Sequence, residues 1–371
     1  MLIHSLRSVR VYMKPQIILK KDLPLLYESL KKKNKVFSVI EKEKGKYVFT
    51  ETDTFSDPFD AYTPTLLPPK KYLLPQQETL FCFRMGTSPS VEEKTDIKPQ
   101  VIFGVRPCDI HAISLLDKTF SSENAENRYI EKRRQTIIVG IDCLHPCDTY
   151  SFCETVGTLD VKEGFDILLT DIGEKFFITI ATEKGEEILI PPTPPFTKGG
   201  TGGIIRDASS AEIEQFNKTR DARKKAFEYR FKTEVANLPL VLAGANEDIT
   251  WKELDEICLG CGSCNIVCPT CYCFDVFDNV DLNLNGGERC RQWDACTLKD
   301  FAVVATGENF RKSRANRLRH RFNRKFNYLM TKYGQPNCVG CGRCSRVCLV
   351  KIDTVDVVNR LVKNKGIGNR E

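Results

Sequence analysis

CLGCGSCNIVCP at residues 258–269 and CVGCGRCSRVCL at residues 338–349 carry cysteines at one spacing: Cys258, Cys261, Cys264 and Cys268, then Cys338, Cys341, Cys344 and Cys348. A cubane iron–sulfur cluster needs four thiolates in a tetrahedral array, and C-x2-C-x2-C wraps three of them round one cluster within a tight loop. In two-cluster ferredoxins the fourth cysteine of each run ligates the other cluster. The spacing therefore assigns Cys258, Cys261, Cys264 and Cys348 to one [4Fe–4S] cluster, and Cys338, Cys341, Cys344 and Cys268 to a second. Zinc competes as a reading, but zinc sites use two cysteine pairs across a longer gap rather than a run of four repeated twice. Gly260, Gly262, Gly340 and Gly342 follow cysteines in both runs, where backbone amides can approach the cluster sulfides.

Outward from these runs, helical features near 299–306 and 311–332 predict that residues 251–371 form an α-helical ferredoxin-type domain with two [4Fe–4S] clusters. Nine lysines and arginines lie between Arg311 and Lys332, and no acidic residue appears from Arg311 to Ile352. A thiolate-bound cluster is an anion, so nearby cations have an electrostatic role; a nucleic-acid surface is the competing reading. Phe310, Phe322, Phe326 and Tyr328 fall at partly helical spacing and read as a core stripe. Cys271, Cys273, Cys290 and Cys296 crowd the first run, as replacement ligands, as thiols that tune a cluster, or as buried free thiols.

QVIFGV at 100–105 and TIIVGI at 136–141 read as buried strands joined by a helix over 110–120, and two more strands are expected at 165–170 and 175–181. This is an α/β domain over 1–205, so the whole chain is α+β, with a helical linker over 206–250. Ser209 with Glu212, and Thr250 with Glu253, form capping boxes that open helices. The proline- and glycine-rich segment 191–203 reads as an exposed insertion. Cys108, Cys143, Cys147 and Cys153 leave the ends of the two adjacent strands and converge at one sheet edge, a candidate third iron–sulfur site that competes with structural thiols. Cys82 reads as a core residue, and His111 and His145 as packed or surface residues.

The chain has 371 residues, seventeen cysteines and only four histidines. Reducing cytosol disfavours disulfides, so spaced cysteines there read as metal or redox ligands. No apolar run approaches the roughly 18 residues of a membrane span, and the basic start lacks the apolar region of a secretory signal. A cytoplasmic protein without membrane insertion is expected.

The chain resembles the β subunits of cytoplasmic [NiFe] hydrogenases (sulfhydrogenases) and the related iron–sulfur subunits of anaerobic sulfite reductases. The resemblance rests on PPKKYLLPQQETLF, VIFGVRPCDIHAI, IIVGIDC, FCETVGT, CLGCGSCNIVCPTCYCFD, RQWDAC, NFR and CVGCGRCSRVC, and runs from about residue 13 onward. It implies a non-catalytic iron–sulfur subunit that relays electrons between a flavin-containing, NAD(P)-linked subunit on one side and a catalytic hydrogenase or sulfite reductase subunit on the other. It also implies ligand roles for the eight cysteines above. Leu349 stands where proline usually follows the last cysteine, and CLHPCDTYSFC at 143–153 departs from the family pattern. A self-contained iron–sulfur reductase and a nucleic-acid-binding protein are the readings from other classes; neither a dinucleotide fingerprint nor a nucleophile–base arrangement stands in the sequence.

Overall fold

In the computed structural model the described residues are 14–366, apart from 58, 60, 61, 95, 96, 123 and 190–203. The proline- and glycine-rich segment and the first thirteen residues fall outside them. The strands are β1 (Gln16–Leu19), β2 (Lys35–Glu43), β3 (Lys46–Glu51), β4 (Gln77–Arg84), β5 (Ser90–Glu93), β6 (Gln100–Val105), β7 (Thr136–Ile141), β8 (Ile167–Asp171), β9 (Lys175–Ile180), β10 (Ile205–Asp207), β11 (Phe274–Val280) and β12 (Gly286–Trp293).

Strands that are apolar at consecutive positions must be covered on both faces. That holds for β6, β7 and β8, which form the parallel centre of an eight-stranded sheet in the order β10-β1-β9-β8-β7-β6-β2-β3. β2 joins β6 in parallel, and the outer strands β3, β9, β1 and β10 pair antiparallel. Helices Pro107–Phe120 and Asn127–Arg134 cross from β6 to β7. The parallel step from β7 to β8 has no helix. It runs through the irregular loop 142–166, which carries Cys143, Cys147 and Cys153. An irregular chain needs outside partners for its backbone, and this loop finds them in the C-terminal half. Phe152 N donates to Gly340 O at 2.7 Å, and Arg230 donates to Thr149 O at 2.6 Å.

The C-terminal half is not all-helical, contrary to expectation. Between the two cysteine runs, β11 and β12 form a hairpin, and β12 pairs antiparallel with β4, giving a second sheet in the order β11-β12-β4-β5. The expected helix at 299–306 is only a short 3-10 turn at Asp300–Ala302. Around it, helices Leu238–Gly244, Ile249–Ile257, Arg314–Asn323 and Thr354–Lys365 bury Leu242, Trp251, Phe322 and Val358 in a core that also takes Phe152 and Val156 from the β7–β8 loop. Phe326 joins that core, whereas Phe310 and Tyr328 are exposed, so the expected aromatic stripe is cut to two members.

Ser209 and Glu212 make the expected capping box on helix Ser210–Ala226. The next expected box is displaced. Asp248 caps Ile249–Ile257, its carboxylate accepting from Thr250 N at 3.0 Å, because the helix begins one residue before Thr250.

The two halves are clamped by an ion pair. Arg343, between Cys341 and Cys344, donates to both oxygens of Asp109 at 2.7 Å, and both side chains are 1% exposed. Its Nε donates to Thr65 O at 2.7 Å. Removing one partner of a buried pair leaves an uncompensated charge and costs about 3–5 kcal/mol. Asp109→Asn is therefore expected to lose stability of that order in anaerobic urea unfolding; an unchanged midpoint would show that the pair does not hold the halves together.

Candidate metal centres

Each cysteine run folds into the same local unit. Gly260 and Gly262 take φ of 66° and 76°, and Gly340 and Gly342 take 63° and 70°. This is the left-handed region that costs other residues roughly 1–2 kcal/mol. One helical turn follows in each run, Ser263–Ile266 and Arg343–Arg346, and delivers the fourth cysteine. Two successive left-handed glycines bend the chain so that three cysteines face one space.

The folded units line two cavities. Cys258, Cys261, Cys264 and Cys348 border the first, together with Leu259, Leu349 and Thr297. Cys268, Cys338, Cys341 and Cys344 border the second. Cys344, Thr354 and Arg321 lie on both, so the cavities are neighbours. The first reaches the surface: Cys261 is exposed, Leu259 is 56% exposed and Leu349 is 77% exposed. The second lies inside, bordered by the buried Phe152 and Val339.

Among the described residues, no three His, Cys, Asp or Glu side chains close on one point as a single metal ion requires. Four thiols spaced round a cavity suit a cubane, whose corners stand apart. A second observation supports the fit. Arg321, buried between the two cavities, has an Nε with no hydrogen-bond partner, so a buried cation there lacks full compensation.

Burial pushes the thiols of Cys264 and Cys341 up to about 11 and that of Cys338 up to about 12. Cys268 moves the other way. A hydrogen bond from Cys271 is the largest cause, and the Lys325 ammonium, 3.2 Å from its sulfur, adds to it. A buried thiolate is costly unless paired, and the basic stretch 311–332 supplies the cations. Arg317, Arg321 and Lys325 are all at most 5% exposed. Arg314 donates to Cys258 O at 2.8 Å, and Arg317 to Thr297 O at 2.9 Å. These cations point inward at carbonyls and sulfurs, an arrangement that favours charge compensation over a nucleic-acid surface.

The cysteines beside the first run divide. Asn265 donates to Cys296 Sγ at 3.0 Å and to Cys271 Sγ at 3.7 Å, and Cys273 bonds Cys296, so these three gather. Lys70 closes the group, donating to Cys268 O at 2.8 Å with its ammonium 4.2 Å above the Trp293 ring. Cys290 lies apart on β12, against Thr79 and Asn279. Neither Lys70 nor Asn265 stood out in the sequence; their role depends on contacts made only after folding. Cys82 is half-buried on β4 near Glu288 rather than in the core. His111 Nε2 lies 2.7 Å from Asp160 O, and His145 is exposed.

A mixed α+β chain with a doubled four-cysteine unit belongs to the iron–sulfur proteins, and residues 257–352 match the 4Fe-4S dicluster domain family. Over 338 residues the chain is 33% identical to sulfhydrogenase 2 subunit beta of Pyrococcus furiosus, covering 91% of this chain and 95% of that protein. It is a member of the sulfhydrogenase β-subunit family. No solved structure matches it significantly. No helix among the described residues is long and apolar enough to cross a membrane.

The glycines provide a graded test. A Cβ on Gly340 would lie 2.5 Å from the Phe152 carbonyl, whereas one on Gly334, φ 71°, meets nothing within 4 Å. Gly334→Ala is expected to cost only the left-handed penalty of about 1–2 kcal/mol. Gly340→Ala is expected to cost more and to release iron, read by unfolding and iron analysis of the two variants side by side. Equal effects would show that the β7–β8 loop does not press on Gly340.

Proposed function

We propose that this chain is the electron-relay subunit of a cytoplasmic hydrogenase, working between a flavin-containing, NAD(P)-linked subunit on one side and a catalytic nickel–iron subunit on the other. Cys258, Cys261, Cys264 and Cys348 hold one [4Fe–4S] cluster, and Cys338, Cys341, Cys344 and Cys268 hold the second. Such a cluster, when bound, takes up and returns one electron without binding substrate. The observation that carries this reading is the pair of adjacent four-thiol cavities, one open at the surface and one enclosed.

The chain's own residues define the rest of the work. Thiolates fix the two positions, while Arg321 and Lys325 offset their charge and favour the reduced, more negative state. The enclosing Phe152 and Val339 keep water from the inner cavity. Exposed Leu259 and Leu349 give the outer cavity an apolar rim on which a partner can dock and come close to Cys261.

The test is made in the assembled complex. With Cys341→Ala, hydrogen-driven NAD(P)+ reduction is expected to fall by roughly tenfold or more, at least about 1.4 kcal/mol of barrier. Hydrogen isotope exchange, which needs only the nickel–iron partner, is expected to persist. Unchanged NAD(P)+ reduction by a complex shown to lack the inner cluster would overturn the relay reading.

A further inference from the structure

We propose that Cys108, Cys143, Cys147 and Cys153 hold a third [4Fe–4S] cluster, in the N-terminal half and directly against the loop of the inner C-terminal cavity. The ligand claim stands on its own observations; only its use as a third station rests on the relay reading.

The topology brings the four thiols together from separate segments. Parallel strands place ligand sites beyond their carboxyl ends, and β6 and β7 end side by side. At the end of β6 the ladder shifts at Gly104, φ 87°, where a Cβ would lie 2.6 Å from the Phe59 ring. The displaced chain holds Arg106 extended before Pro107, and Cys108 enters in the first turn of helix Pro107–Phe120. β7 ends two residues before Cys143, and the loop that follows returns Cys147 and Cys153. Cys143 and Cys147 share a hydrogen bond, and Cys143 and Cys153 pack together against Leu159. Cys108 packs with Val339 and Cys341.

Buried thiols can be ordinary core residues, but this group encloses a charge that a neutral core would not. Arg106 is 7% exposed and lies among Cys108, Cys143 and Cys147. Its terminal nitrogens donate to the carbonyls of Asp142, Phe59 and Tyr62. Its Nε has no partner, and among the described residues no carboxylate forms an ion pair with it. The neighbouring buried arginines differ: Arg343 pairs with Asp109, and Arg223 pairs with Asp142. An unpaired buried cation is costly, and thiolates round an iron–sulfur core supply the missing negative charge. Four thiolates also suit zinc, but zinc draws its sulfurs to about 2.3 Å, and no three ligand groups among the described residues close on one point.

The position gives the site a use. Cys108 touches Cys341, a wall of the inner cavity, while Phe152 N, next to Cys153, donates to Gly340 O. Thr158 Oγ1 donates to Val339 O at 2.8 Å. The third site is thus held to the same loop on two sides, and the redox stations run from the surface at Cys261, through the inner cavity, into the α/β half.

The test uses the full chain, purified and reconstituted anaerobically with iron and sulfide, with iron, sulfide and zinc counted per chain. At four irons per cluster, about twelve irons are expected in the wild-type chain and about eight in Cys143→Ser/Cys147→Ser. The single variant Cys147→Ser, at the least buried of the four, is expected to show a [3Fe–4S] signal by electron paramagnetic resonance of the oxidised protein, a readout that misfolding would not produce. About eight irons in wild type and double variant alike, or zinc that disappears with these cysteines, would overturn the proposal. Cys261→Ser/Cys341→Ser separates the readings: loss of iron there, with none lost from Cys143→Ser/Cys147→Ser, sinks the third site and leaves the relay intact.

Discussion

Buried thiolates need cations, and that requirement organises this molecule. The stretch from Arg314 to Lys325 delivers it: Arg317, Arg321 and Lys325 turn inward, Arg321 borders both C-terminal cavities, and Lys325 lies on Cys268. A helix with this charge would be unstable in an apolar core and ordinary on a surface. It is placed between cysteine loops, where its charge and theirs offset each other. Lys70 adds a cation from the N-terminal half, held by the carbonyl of Cys268 and by the Trp293 ring.

The same requirement explains why the halves interlock. The β7–β8 loop replaces a crossover helix and satisfies its backbone on the second cysteine loop, which is why Gly340 and Gly342 have no room for side chains. β4 leaves the N-terminal half to pair with β12, and Arg343 reaches back to Asp109. Stability and site geometry therefore share the same contacts, so a substitution that loosens one is expected to disturb the other.

What the sequence made legible was local. The cysteine runs encode their loop through spacing alone, β6 and β7 read as strands because consecutive apolar residues need two covered faces, and Ser209 with Glu212 marks a helix start through a three-residue contact. What it hid was non-local. The β11–β12 hairpin is mostly exposed, with charged residues among its apolar ones, and it gains its place by pairing with β4, far away in sequence. The aromatic stripe failed because periodicity cannot say which face of a helix meets a core; Phe322 and Phe326 do, and Tyr328 does not. Arg106 and Asn265 gain their meaning from thiols brought to them by folding.

The central claim is that the redox path ends in other subunits. Its most direct test is anaerobic isolation of the complex from the native host through a tag on this chain, with partners identified by mass spectrometry and nickel, iron and flavin measured. A nickel-bearing catalytic partner recovered together with a flavoprotein is the predicted result. A chain recovered alone that turns over a substrate, or one recovered with a sulfite-reducing partner, would contradict it.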